Sequence, residues 1–506
     1  MLIYRPPWRF TLIPLALSAL LLAGCGTTVQ NPVTGARERT VMDERQEIAL
    51  GRKEHQAVLQ TMRPYADAAV QAYVDALGQK LARQSHRADL QWTFTVLDSP
   101  DINAFALPGG YVYVTRGIMA YLESEADLAG VIGHEIGHVT ARHGAQRATR
   151  QQDAGIGVLA ATVLGAVLES QGLGGAGRVA SGVSQAAAAG YVASYSRDQE
   201  LQADRLGAEY LARNRYDPGN MVDVIGVLGS QERFAADQAR AQGRTAPGGG
   251  DWLASHPSND QRLQAITALA RAYQGQARYE DDGRARYLQA IAGLRFGESD
   301  GQGLTRGQHF LHRGLGLAIT APAQWTLRNQ PDRLVLVNSA RDAALVVAHV
   351  PAQAGSAHED IIRNLLKPAR GRVEPLRING LPASHFAGER VDTQGRAEAV
   401  EATVVSGPGD NRFVLLWSAR DGAAMRRARA DLQRARDSFR AMTPADRALA
   451  RPWLVQVVPF PGGGFPELAR RSPLESAEQQ LRLINGFYGG GAPAPGQLVK
   501  AIVEQP

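Results

Sequence analysis

From Gln46 to about Leu294 the apolar positions recur mostly at helical spacing. Ala68–Leu81, Ser124–His143, Gln199–Leu211, Gly219–Leu228 and Gln261–Tyr273 place them three and four residues apart, which predicts amphipathic helices. One strand pair interrupts this pattern. Trp92, Phe94 and Val96 alternate with threonines, and Tyr111–Thr115 is a β-branched and aromatic run. Ala154–Leu168 and Val179–Ser196 carry no charge and are rich in small residues. They predict a buried helical hairpin; a flap resting on a membrane or on apolar substrate is the functional alternative. Arg240–Gly250 is polar and Gly-rich and reads as a loop.

Near Gly297 the pattern changes. Gly297–Gln308 reads as a linker, after which strands dominate: Leu317–Thr320, Leu334–Val337, Ala344–Val350, Val400–Val405 and Phe413–Trp417. Two helical stretches, Ala357–Leu366 and Ala423–Phe439, interleave with them, so this part predicts a small α/β sandwich. In pattern it is similar to PsbP-type sandwiches. From Pro452 the order is strand, turn, helix, helix, strand: Leu454–Val458, Gly462–Gly464, Pro466–Arg471, Ala477–Asn485 and Leu498–Val503. That order, with Asn485-Gly486 and Pro495-Gly496, resembles a LysM module.

The first residues follow another rule. Arg5 and Arg9 precede an apolar run from Phe10 to Leu22, too short to span a membrane as a helix of a mature protein. Leu22-Ala23-Gly24-Cys25 follows, and Cys25 is the sole cysteine of 506 residues, which excludes a disulfide scaffold. The pattern resembles a bacterial lipoprotein signal over residues 1–24, and the resemblance implies acylation of Cys25. Gly26 after it implies the outer membrane. With 55 basic and 49 acidic residues the net charge is +6. The basic residues are dispersed, which argues for a solvated surface and against nucleic acid.

The strongest chemical signal is His134-Glu135-Ile136-Gly137-His138. On a helix, residues i and i+4 share a face, so both imidazoles can bind one Zn²⁺, with Glu135 beside them as a general base. Ser124 with Asp127 resembles a capping box, and His143-Gly144 marks the expected helix stop. A third ligand ten residues after His134 would be Gly144; His143 is one position out of phase. Glu200 and Asp204, one helical turn apart, supply what is missing. Glu200 can ligate zinc, and Asp204 can hold the outer nitrogen of a ligating histidine.

The helix motif, Glu200 with Asp204, and the segment Asn103-Ala104-Phe105-Ala106-Leu107-Pro108-Gly109-Gly110 resemble gluzincin peptidases of the CAAX-prenyl-protease and HtpX type, over about Glu44 to Leu294. The soluble periplasmic branch fits best. The resemblance implies one zinc per chain held by His134, His138 and Glu200, with Glu135 catalytic and Asp204 outside the ligand shell. It implies that Tyr111, Val112, Tyr113 and Val114 form the edge strand to which substrate pairs. It also implies that His256, in His256-Pro257 with Arg262 following, can occupy the open position of the metal. No 34-residue repeat period is present, so partners of repeat-bearing relatives do not carry over.

The expectation is therefore an α+β multidomain chain. It comprises a signal segment 1–24, a mostly helical zinc metallopeptidase domain with a small active-site sheet at 25–296, a sandwich at 309–445 and a LysM-like module at 452–506. Its expected function is hydrolysis of unfolded or misassembled envelope proteins from a lipid anchor in the periplasm. Two other readings stay open: an envelope chaperone or scaffold whose zinc site is latent, and a peptidoglycan-associated factor. The candidate partners are stalled envelope proteins, outer-membrane lipid, peptidoglycan and the outer-membrane assembly machinery.

Overall fold

The computed structural model describes residues 27–153, 195–241, 256, 260–273, 279–330, 332–391 and 397–505. The signal segment with Cys25, the uncharged stretches up to residue 194, and residues 242–255 of the Gly-rich region lie outside the described residues.

The chain opens with an antiparallel ribbon, β1 (Thr27–Gln30) and β2 (Arg37–Thr40). Helices α1 (Glu44–Thr61) and α2 (Ala68–Ala82) lead to β3 (Thr93–Leu97), β4 (Ala104–Leu107) and β5 (Tyr111–Thr115). Then follow α3 (Arg116–Tyr121), α4 (Glu125–Thr140), α5 (His143–Asp153), α6 (Arg197–Arg213), α7 (Asn220–Ala241), α8 (Asp260–Tyr273) and α9 (Arg284–Ile291). Every residue of α4 is buried. Leu128, Val131, Ile132, Ile136 and Val139 form one apolar stripe packed in the main core, and the glycines and alanines of the other faces let neighbouring elements close over them. The helix sits among α2, α6, α7, α9 and the small sheet.

Two expectations are corrected here. The small sheet has three strands in the order β3-β5-β4, not one pair. Tyr111–Thr115 is its central strand: parallel to β3 on one side and antiparallel to β4 on the other, its backbone is paired along both edges. The stop expected at His143-Gly144 falls earlier. Arg142 adopts φ 59, a left-handed conformation that ends the α4 run, and His143 opens α5. The break is fixed from afar, because the Arg142 guanidinium donates to Glu47 of α1 at 2.8 Å and Asn31 donates to the Ala141 carbonyl at 3.2 Å.

Beyond β6 (Arg295–Phe296), strands β7 (Leu304–Arg306), β8 (His309–His312) and β9 (Leu317–Thr320) form a small sheet completed by the later β17 (Arg440–Ala441). A seven-stranded antiparallel sheet follows. It comprises β10 (Thr326–Gln330), β11 (Arg333–Val337), β12 (Ala343–His349), β13 (Arg370–Ile378), β14 (Leu381–Val391), β15 (Ala397–Ser406) and β16 (Arg412–Ala419), in the order 10-11-12-16-15-14-13. Its strands alternate between two cores, as the period of two dictates. Leu334, Leu336, Leu345 and Leu415 face α11 (Gly422–Asp437), and Val335, Val337, Val346 and Val414 face α10 (His358–Ile361). β10 is largely polar, and β13 and β14 mix charged residues with Gly and Pro, so none of the three shows a clean period of two.

After α12 (Pro444–Leu449) come β18 (Trp453–Pro459), α13 (Gly464–Ala469), α14 (Ala477–Ile484) and β19 (Leu498–Glu504), the strand–helix–helix–strand order expected of this unit. It is not a separate tandem domain, however. β18 pairs with β19 and also with β6, Trp453 opposite Phe296. One continuous core contains Val74, Leu128 and Ile132 together with Val455, Phe465, Leu481 and Val499. This unit completes its core against the helical body. Residues 297–451 are thus an insertion that leaves at Phe296 and returns beside it. No described helix is long and apolar enough to cross a membrane.

Candidate metal centre

The capping box expected at the head of α4 is formed. Asp127 N donates to Ser124 Oγ at 3.1 Å, and Ser124 N donates to Asp127 Oδ2 at 3.1 Å. Further along, glycines let α6 approach. A Cβ on Gly133 would lie 3.3 Å from the Gly207 Cα, and one on Gly137 would lie 3.1 Å from the Ala203 carbonyl oxygen. That close contact carries Glu200 and Asp204 of α6 onto the histidine face of α4.

His134 Nε2 and His138 Nε2 converge to 3.0 Å. Glu200 offers Oε2 at 3.6 Å from the first and Oε1 at 3.6 Å from the second. His256 completes the group: its Nδ1 is 3.0 Å from Glu200 Oε1 and 3.2 Å from His134 Nε2. All four side chains are buried. Glu135 is wholly buried, with Oε1 3.6 Å from His256 Nε2.

The donor set fits zinc. Tetrahedral coordination with arms of about 2.0–2.1 Å has donor–donor edges of about 3.3 Å, and the separations here run from 3.0 to 3.6 Å. Three imidazoles and one carboxylate are donors that Zn²⁺ takes. Burial, reinforced by His134, His143, His256 and Arg262, holds His138 well below the ordinary histidine pKa, in the neutral form a metal requires. Burial raises the Glu200 carboxyl, but His256, His134 and Arg262 outweigh it and keep the carboxylate charged.

The surrounding shell orients these donors. Asp204 Oδ1 stands 3.0 Å from His134 Nδ1. Burial lowers the pKa of this histidine, yet Asp204 and Glu200 more than reverse it. The proton is thereby kept at Nδ1 and Nε2 is turned inward, a tautomer assigned from the partners. Asp204 is gripped by Arg262 of α8 through two parallel bonds of 2.8 Å, Nε to Oδ2 and Nη2 to Oδ1. Burial raises the Asp204 carboxyl, and Arg262 with His134 drives it far below the usual range. Arg262 Nη1 also lies 3.0 Å from Glu200 Oε2 and donates to the His256 carbonyl at 3.2 Å, so one guanidinium ties three parts of the site together.

His143, set aside above as out of phase, holds the second histidine. Its Nδ1 is 2.9 Å from His138 Nδ1, and its Nε2 is 3.0 Å from Gln202 Oε1. Burial pushes its pKa down to about 4, so it is neutral at pH 7. With Nε2–H donated to Gln202, its Nδ1 accepts the His138 proton and leaves His138 Nε2 free to ligate. Tyr195 stacks on the His138 ring, with centroids 3.8 Å apart. No local signal marks His143: its role depends on the left-handed turn at Arg142.

Of the residues singled out by sequence, His134, Glu135, His138, Glu200, Asp204 and His256 come together. Tyr111, Val112, Tyr113 and Val114 do not form an edge. The edges of this sheet are β3 and β4; β3 is met on its outer side by the Pro64–Leu97 bridge, and β4 packs against the metal helix α4. Ala106, Leu107 and Pro108, at the end of β4, line a small pocket with His138 and Tyr195.

Residues 68–270 match the family model described as Peptidase family M48. The chain is 28% identical over 271 residues to the β-barrel assembly-enhancing protease of Yersinia pestis, covering 50% of this chain and 52% of that protein. It is 31% identical over 191 residues to the protein of that name from Escherichia coli (strain K12), covering 38% and 37%. It is 30% identical over 185 residues to the mitochondrial metalloendopeptidase OMA1 of Arabidopsis thaliana, covering 37% and 33%. The chain therefore spans about half or less of the length of these curated relatives. A solution structure of cyanobacterial PsbP from Synechocystis matches at 14% identity and a TM-score of 0.21, over 28% of this chain and 98% of that one.

Proposed function

From the premise that residues 68–270 carry a peptidase family M48 domain, we propose that the chain is a zinc-dependent endopeptidase of the bacterial cell envelope, acting on unfolded or misassembled proteins. The observation that carries the reading is the convergence of His134, His138 and Glu200 beside the buried carboxylate of Glu135. Zinc held there supplies the Lewis acidity that polarises a scissile carbonyl and acidifies water. Glu135 takes the proton of the attacking water and hands it to the leaving nitrogen. The open edge of β4 offers backbone groups to an extended peptide, which adds to the sheet as a further strand. Depletion and restoration of zinc, with casein as substrate, tests this function.

His256 bears on how the activity is held. His134, His138, Glu200 and His256 would together hold the metal with four protein donors, which would leave no donor position for water. The resting enzyme is then latent, and His256 must withdraw for catalysis. His256→Ala is expected to cleave casein about tenfold faster than the wild type at neutral pH. That is the gain when a competent form populated at about one part in ten becomes dominant. An equal or slower rate at normal zinc content would remove His256 from the site, and a parallel melting curve separates this from loss of a structural turn.

The same closed arrangement favours a second reading, a chaperone or scaffold in which the zinc site stays latent. Suppression of aggregation of an unfolded envelope protein by a Glu135→Gln chain, with proteolysis lost, would support that reading.

The envelope location rests on the Leu22–Cys25 box. Acylation of Cys25 would anchor the chain to the inner leaflet of the outer membrane, and two or three chains suffice for stable anchoring. Cys25→Ala is expected to lose incorporation of a fatty-acid probe and to leave an uncleaved precursor or a soluble periplasmic form. Equal labelling of both forms would refute the anchor.

A further inference from the structure

The last strand of the chain reaches the entry of the metal helix. Lys500 of β19 is fully buried, a costly place for an ammonium unless each of its protons is used. It donates to the Leu122 carbonyl at 2.6 Å and pairs with Glu123 at 2.8 Å. Leu122 and Glu123 join α3 to α4. On the side of the terminal unit, Asn485 fixes the lysine backbone from both directions. It accepts from Lys500 N and donates to Lys500 O, each at 2.8 Å.

The contact belongs to a larger knot. Glu123 also pairs with Arg284 of α9 at 3.2 Å, and Arg284 donates to the Leu498 carbonyl of β19 at 3.1 Å. The backbone N–H groups of Glu123 and Ser124 both donate to Asp127 Oδ2, at 3.0 and 3.1 Å. The other oxygen of Asp127 accepts from Asn220, the first residue of α7, at 2.8 Å. The head of α4 is thus tied to α7, α9 and β19 at once, and Lys500 is the direct side-chain tie from β19.

We propose that Lys500 is a positioning residue of the metal centre, pinning the entry of α4 from the terminal strand and thereby setting the axial position of His134 and His138 against Glu200 and Asp204. The distances favour this role over mere filling of the core. Val499 and Ile502 on the same strand fill it with apolar side chains, whereas Lys500 spends its donors on the α3–α4 link. A helix whose backbone is fully bonded moves as a rod. A slip at Glu125 is therefore carried to His134, about 14 Å along the axis at about 1.5 Å per residue. A misplacement of about 1 Å costs on the order of 10²-fold in rate. The kinetic part of this inference rests on the peptidase reading; the structural part does not.

The test uses the full chain with Lys500→Met, Lys500→Arg and the double change Lys500→Met/Glu123→Met. Lys500→Met is expected to keep one zinc and a nearly unchanged KM while kcat falls about 10- to 100-fold. Amide exchange should accelerate over Ala126–Leu128, the cobalt-substituted protein should show an altered visible spectrum, and arginine should restore part of kcat. The double variant replaces the buried Lys500 and the half-buried Glu123 by apolar side chains, so no carboxylate is left facing a missing ammonium. It carries the test if the single variant does not fold, and its kcat is expected to remain low. Wild-type kcat per folded molecule in either methionine variant would overturn the proposal. So would an unchanged cobalt spectrum with exchange raised evenly across the chain. Should the wild type cleave nothing, the cobalt spectrum and the exchange pattern still decide the role of Lys500, and the peptidase reading alone fails.

Discussion

Replacing Glu135 with glutamine is expected to lower casein cleavage by about 10²- to 10⁴-fold, the contribution of a positioned general base, while zinc stays at one per chain. The two parts of that result have separate causes. Glutamine keeps the size of the side chain, and Glu135 is not among the four converging donors, so the metal has no reason to leave. What is lost is an acceptor that can take a proton from water and return it to the departing nitrogen. Glu135 has no exposure to solvent, so no bulk base can stand in its place. Casein turnover measured beside metal content checks both halves. Full activity in the glutamine variant would place the base elsewhere.

The second large effect concerns the ligands. Alanine at His134, His138 or Glu200 is expected to abolish stoichiometric zinc and activity together, because only two protein donors then remain whenever His256 withdraws, too few to hold the metal at a catalytic site. Asp204→Asn should be milder, on the order of 10- to 100-fold in zinc affinity or activity. The amide can still accept one bond from Arg262, but it no longer carries the charge that keeps the proton on His134 Nδ1. It also leaves the buried guanidinium of Arg262 poorly compensated, and breaking such a pair typically costs about 3–5 kcal/mol of stability. A fall in melting temperature is therefore expected even where some zinc remains. Metal analysis of the purified variants and their melting curves separate these outcomes. Full zinc occupancy in His138→Ala would sink the assignment of the ligand set.

The parts of this site that could be read from sequence are those that local spacing dictates. A period of 3.6 places His134 and His138 on one face, and the same period pairs Glu200 with Asp204. Ser124 and Asp127 announce the start of α4 because a capping box is a four-residue pattern. His143 was beyond reach for the opposite reason. Its distance from His138 is set by a left-handed Arg142, which Glu47 and Asn31 hold from about a hundred residues away. Sheet order was equally hidden. Tyr111–Thr115 reads the same whether it has one neighbour or two, and only the pairing with both β3 and β4 shows that it is central and that Ala104–Leu107 is an edge. Nor does alternation in Leu454–Val458 announce its partner, so the pairing of β18 with Arg295–Phe296, and the insertion it implies, could not be foreseen. Motif chemistry is local; strand partners and the outer shell are products of the folded chain.

The most direct test of the central claim, that zinc held by His134, His138 and Glu200 hydrolyses peptide bonds, is depletion and restoration of the metal in the purified chain. Zinc content and casein cleavage are followed together. The expected result is one zinc per chain before chelation, loss of cleavage in step with loss of zinc, and recovery of both when one equivalent is returned. Casein cleavage that continues in the zinc-free protein would contradict the claim, as would a chain that takes up zinc at these residues and cleaves nothing even with His256 replaced.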